Sequence, residues 1–149
     1  MKTASWILLT VAAALTLLGS LASLGVAYYA APTADQIVPG TSVQALGAGA
    51  GHPEITTSLR ARRGTAAGYA IGYAVLLLII VLVPYRRGEV WAWWAILAGA
   101  LTLFVTYALR LPALGTRQGL VVPAAVQLGV IALGLLLDAK RLGSGAAHA

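Results

Sequence analysis

The chain has 149 residues, 60% of them hydrophobic and only 9% charged, with a mean hydropathy of +0.87 and a formal net charge of +6. A soluble domain carries about 25% charged residues and a disordered one needs low hydrophobicity with high charge, so the composition excludes both and leaves an integral membrane protein. Cysteine is absent, which excludes a disulfide framework, a thiol nucleophile and a cysteine-ligated zinc.

A helix needs about 20 mostly apolar residues to cross a bilayer, and four such runs follow in order. The first covers residues 6–29 without a charge. Its apolar stretch exceeds the ~7–15 residues of a signal-peptide core, so it is expected to stay as an uncleaved anchor. The second covers 65–84 and ends in the dense run VLLLIIVLV at 75–83. The third covers 90–109 and the fourth 120–138, with Pro123 near its start, where a missing N–H costs a helix little. The expected fold is an all-α, left-handed four-helix membrane bundle forming one transmembrane domain over 1–149.

The connections differ in kind. Residues 30–64 are rich in Gly, Ala, Pro and Thr, too polar to span and too long for a turn, so they are expected as an extramembrane loop. Residues 85–89 form a tight turn that makes the second and third helices antiparallel neighbours. Arg86 and Arg87 follow one helix and Glu89 precedes the next, so each charge opposes the local helix-end dipole. A short loop carries Pro112, Gly115 and Arg117, and the tail 140–149 is expected to be solvent-exposed.

The basic residues all lie outside or at the ends of apolar runs, the pattern of cations that serve topology and lipid headgroups. Nucleic acid is therefore not an expected partner, whereas membrane lipids are. Four crossings gather Trp6, Tyr85, Trp91, Trp93 and Trp94 at one face and Tyr28, Tyr29, Tyr69 and Tyr107 near the other, as headgroup-level aromatics require. Trp6, Trp91, Trp93, Trp94, Arg86 and Arg87 are thus expected interface anchors. Lys2, Arg86, Arg87, Lys140 and Arg141 fall on one side, Arg60, Arg62, Arg63, Arg110 and Arg117 on the other, so the positive-inside rule is a tie. The anchor-like first helix, which exports the loop behind it, favours cytoplasmic termini.

Gly64, Gly68 and Gly72 form two overlapping G-x-x-x-G steps, flanked by Tyr69 and Tyr73. Small residues also line the first helix at Gly19, Ser23 and Ala27 and the fourth at Ala125 and Gly129. Such faces let helices approach closely, inside one bundle or across a homodimer. Gln127, Thr102 and Thr106 are the notable polar residues of the last two spans; Thr bonds back to its own helix and Gln127 serves as interhelical glue or lines a ligand. Asp138 is expected on a solvated face beside Arg141. Arg60, Arg62 and Arg63 either anchor topology or bind anionic headgroups. His52-Pro53-Glu54 with Asp35 supplies too few ligands for a metal, leaving a polar loop. No His lies near a span to act as base, and no phosphate loop is present, so catalysis and a cofactor are not implied. With no acid, base or His deep in a span, an ion pump is disfavoured.

Residues 84–95, PYRRGEVWAWWA, joining two hydrophobic helices, resemble the corresponding turn of small bacterial four-helix membrane proteins of the DoxX-like group. That resemblance implies a quinone-linked or accessory setting and carries over no catalytic residue. The long first loop is also similar to claudin-type and vitamin K epoxide reductase-type layouts, but it has no Trp and no Cys, so neither junction recognition nor thiol redox chemistry follows. The expected role is a non-catalytic structural or accessory subunit, packing against itself or a larger complex. The alternative is a bundle binding a lipid or quinone near Tyr69, Tyr73 and Gln127. A composition rich in Ala, Gly, Leu and Arg and lacking Asn points to a GC-rich bacterium, and hence to its cytoplasmic membrane.

Overall fold

The computed structural model describes residues 2–38, 40–109, 113 and 121–139. Arg110, the loop at Pro112, Gly115 and Arg117, and the tail from Lys140 with Arg141 and His148 lie outside them. The described residues are mostly helical: α1 (Lys2–Tyr29), a hairpin of β1 (Gln36–Val38) and β2 (Thr41–Ser42), α2 (Val43–Gly49), α3 (Glu54–Ile80), α4 (Val90–Ala108) and α5 (Val121–Leu137). They form two compact units, Thr16–Tyr73 and Met1–Leu15 with Ala74–Ala149. Helices α1 and α3 contribute to both.

Among the described residues, three helical segments are long and apolar enough to cross a membrane: Ala4–Tyr29, Glu54–Tyr85 and Val90–Ala108. Helix α5 is 17 residues long, shorter than the roughly 20 of a full crossing. Large apolar side chains such as Leu15, Leu18, Leu76, Phe104 and Leu136 point outward from these helices.

In the Thr16–Tyr73 unit, residues 30–64 are not one loop. Helix α3 begins at Glu54, eleven residues ahead of the expected boundary. Hydropathy reports depth in a membrane rather than helicity. The run ITTSLRARR at 55–63 is polar, but it has neither Gly nor Pro and includes the good helix formers Leu, Arg and Ala. Pro53 stands just outside and Glu54 occupies the first turn, where a negative charge favours the dipole. Between α1 and α3, the antiparallel β1–β2 pair runs into α2, whose N-cap Ser42 accepts a bond from the Ala45 N–H at 3.1 Å. Val43 is fully buried, and its carbonyl accepts from Thr56 of α3.

In the other unit, α3 passes into a π-helical turn, Val81–Tyr85, with Pro84 inside it. A proline there has no N–H to donate and clashes with the preceding turn's carbonyl; widening to π geometry relieves both. The helix continues through Arg86 and Arg87. The chain then reverses at Gly88, whose φ of +96° suits a residue without a side chain, and α4 starts two residues later. The core is built from Leu9, Ala13, Val81, Tyr85, Ala92, Ile96, Ile131 and Leu135, all nearly inaccessible. In α4, Thr102 and Thr106 bond back to Ala98 and Thr102, as β-hydroxyls do on an apolar helix.

Candidate functional site

The Thr16–Tyr73 unit is organised around Asp35, which is 1% exposed. It lies just after Pro32 and just before β1, so the chain leaving α1 folds its carboxylate inward. Arg63 bonds directly to one carboxylate oxygen, and the Arg60 Nε stands 4.0 Å from the other. Arg60 does more than neutralise. Its Nε donates to the Ala27 carbonyl at 3.0 Å and its Nη2 to the Ala30 carbonyl at 2.6 Å. A helix leaves its last carbonyls without intrahelical partners, and here a guanidinium from α3 caps the end of α1. Arg63 also donates to Ser23 at 3.3 Å. Ser23 meets Arg63 and Ala27 meets Arg60, an order that runs α1 and α3 antiparallel. Arg62 faces outward and has no hydrogen bond or ion pair among the described residues, so the three arginines of one sequence cluster divide into two that hold the fold and one that is free.

The glycines divide in the same way. A Cβ on Gly64 would stand 2.8 Å from the Tyr28 ring, so this position requires glycine for the helices to meet. Gly68 and Gly72 have nothing within 4 Å and are exposed, as is Gly19. Tyr69 is 78% exposed, whereas the Tyr73 hydroxyl is buried with no hydrogen-bond partner among the described residues. A shallow groove of about 360 Å³ runs along α3 between Arg62 and Tyr69, floored by Ala61, Thr65 and Ala66. His52 and Glu54 form an exposed pair at 2.8 Å. No group of three His, Cys, Asp or Glu able to hold a metal occurs among the described residues.

The second unit has its own buried polar cluster. The Ser5 hydroxyl donates to the Gly134 carbonyl at 2.7 Å. It also bonds the Tyr85 hydroxyl at 2.5 Å, where either hydroxyl can donate. One side chain thereby links α1, the π turn and α5. Gly134 permits this closeness, since a Cβ there would reach within 2.9 Å of Leu9; the expected packing glycine, Gly129, has nothing within 4 Å. At the next residue of α5, the Leu135 carbonyl accepts from the Trp93 indole N–H at 3.1 Å, and Trp93 meets Trp94 edge-on.

Trp91 and Trp94 are each 54% exposed, but Tyr85 and Trp93 are buried and face inward. Trp6 is half-buried, with the Arg86 guanidinium 5.1 Å from its ring centre, within cation–π range. Arg87 is exposed. Trp91 donates its indole N–H to Glu89. Asp138, expected on a solvated face, is buried at 5% exposure among the described residues, and Arg141 lies outside them. Gln127 is half-buried on α5.

Ser5 and Gly134 were not candidates on sequence grounds, and Asp35 and Tyr85 were weighed only as a metal ligand and a headgroup-level aromatic. Asp35 had a readable signal, as the acid that precedes three arginines within thirty residues. Ser5 had none, since one serine near the start of an apolar helix is commonplace. No family model, curated protein or solved structure matches the chain.

Proposed function

We propose that the chain is a small multi-pass membrane protein that crosses the bilayer four times, with α5 as the short fourth span, and acts without catalysis. It serves as a structural or accessory subunit that packs against a second copy or a larger membrane complex. The observation that carries this is the exposed Gly68–Gly72 face of α3, open to 4 Å around both glycines, on a helix whose neighbouring Leu76 and Ile79 are also exposed. Without a hydrophobic drive between helices in lipid, association rests on close packing at such small residues. Ser5, Tyr85 and Trp93 direct their polar atoms inward, which fits helices whose outer surfaces meet hydrocarbon. The resemblance of residues 84–95 to DoxX-like proteins supports the accessory role, the composition rich in Ala, Gly, Leu and Arg supports a bacterial cytoplasmic membrane, and the anchor-like first helix supports cytoplasmic termini.

A second reading has one observation in its favour. The buried, unpartnered Tyr73 hydroxyl is a donor that a quinone carbonyl or lipid ester would satisfy, with Tyr69 one turn away on the same helix as further lining.

The two separate in one experiment: native mass spectrometry of the tagged protein drawn gently from its own membrane. Packing predicts a dimer or a hetero-complex that Gly68→Ile with Gly72→Ile dissolves. A monomer carrying a stoichiometric small molecule lost in Tyr73→Phe supports the second reading, and a bare monomer overturns both.

A further inference from the structure

We propose that the groove on α3 between Arg62 and Tyr69 is a binding site for the headgroup of an anionic phospholipid. Three arginines crowd the start of this helix, yet Arg60 and Arg63 are committed to Asp35 and to the end of α1. Only the third, Arg62, turns away from that network, exposed and with no hydrogen bond or ion pair among the described residues. Below it, Ala61, Thr65 and Ala66 leave a trough of about 360 Å³, and Tyr69, 78% exposed, closes the lower end.

The position fits the chemistry. Arg62 and Tyr69 are seven positions apart, two helical turns or about 10 Å along the axis. The polar run of α3 ends at Arg63, and no charged residue follows until Arg86, so Arg62 and Tyr69 straddle the point where the helix becomes apolar. A guanidinium at that height meets phosphate and presents several donors to it, while an amphipathic phenol belongs at glycerol depth with its ring in hydrocarbon. The Thr65 hydroxyl on the same face can donate to a phosphate or ester oxygen. The cation sets the sign of the ligand: an anionic head is attracted, and a zwitterionic one brings a compensating positive group. The inference rests on α3 spanning a membrane, as proposed above.

The test uses the full-length chain in nanodiscs of equimolar phosphatidylglycerol and phosphatidylcholine with matched acyl chains, released into a native mass spectrometer. Retained phosphatidylglycerol should exceed phosphatidylcholine by about fivefold, the preference expected of one interfacial cation. Arg62→Gln should bring that ratio near one, Arg62→Lys should keep most of it, and Arg87→Gln, at an exposed arginine outside the groove, should leave it unchanged. Equal retention of both lipids by the wild type, or a preference that survives Arg62→Gln, overturns the site while the membrane assignment stands. A chain that fails to enter the discs overturns both.

Discussion

The hydroxyls of Ser5 and Tyr85, 80 positions apart in sequence, lie 2.5 Å from each other with both side chains fully shielded from solvent. The bond ties the first turn of α1 to the widened π turn at the end of α3, and through the Gly134 carbonyl to α5. Tyr85→Phe removes one hydroxyl of the pair yet keeps the ring, and should cost about 1 kcal/mol, since interhelical hydrogen bonds in lipid are worth roughly 0.6 to 1.7 kcal/mol. Ser5→Ala removes both an acceptor and a donor, and should cost more. The double variant should cost less than the two single losses added together, because they share a bond. Unfolding by graded SDS in mixed micelles reads all three, and strict additivity would show that the hydroxyls do not couple.

Asp35 is the pivot of the other unit. Removing one partner of a buried ion pair leaves the other charge uncompensated, a loss of about 3–5 kcal/mol when both are sealed off. Arg63 is 32% exposed, so water offsets part of that, and Asp35→Ala should cost roughly 2–3 kcal/mol. The damage should be local: faster amide exchange across β1, β2 and α2, with the second unit little changed. Asp35→Asn with Arg63→Gln, which removes both charges and keeps hydrogen-bonding groups, should recover much of the loss. Exchange mass spectrometry in detergent checks this. Uniform acceleration along the whole chain would contradict it.

Gly64 and Gly68 belong to one motif but should respond oppositely to the same change. At Gly64 a side chain must displace the Tyr28 ring, so Gly64→Leu should lower the unfolding midpoint by the equivalent of about 1–3 kcal/mol, as overpacking does. At Gly68 the space is open, and replacing glycine within a helix removes a propensity penalty of roughly 0.5–1 kcal/mol. Gly68→Leu should therefore leave the monomer as stable or slightly more so, while weakening any association through that face. Paired SDS unfolding and size measurements separate the two effects.

The long helices were legible because apolar length is additive along the chain: residues 6–29 and 90–109 needed no knowledge of what they touch. The start of α3 was not, because a polar helix such as 54–64 carries no hydropathy signal, and its register depends on Arg60 and Arg63 reaching Asp35. Of the three glycines at spacing four, only Gly64 meets Tyr28, and sequence spacing cannot say which turn of a stripe is covered. Tyr85 and Trp93 look like their exposed neighbours in sequence; a Leu135 carbonyl and a Ser5 hydroxyl, both distant along the chain, turn them inward.

The proposed threading itself makes a sharp demand on geometry. If α1, α3, α4 and the short α5 all cross, a reporter must change compartment at every span, so fusions at residues 50, 87, 115 and 149 should read alternately, with 87 and 149 on the cytoplasmic side. The fourth crossing is the weak link, since 17 residues at about 1.5 Å each give roughly 26 Å, under the ~30 Å hydrocarbon thickness. A span that short is accommodated by local thinning or by snorkelling flanks. Residues 115 and 149 should therefore report opposite compartments. Lengthening α5 by inserting Leu-Ala-Leu after Leu133 should not reverse either report. If 115 and 149 instead share a side, α5 lies along the surface or re-enters, and the chain crosses three times.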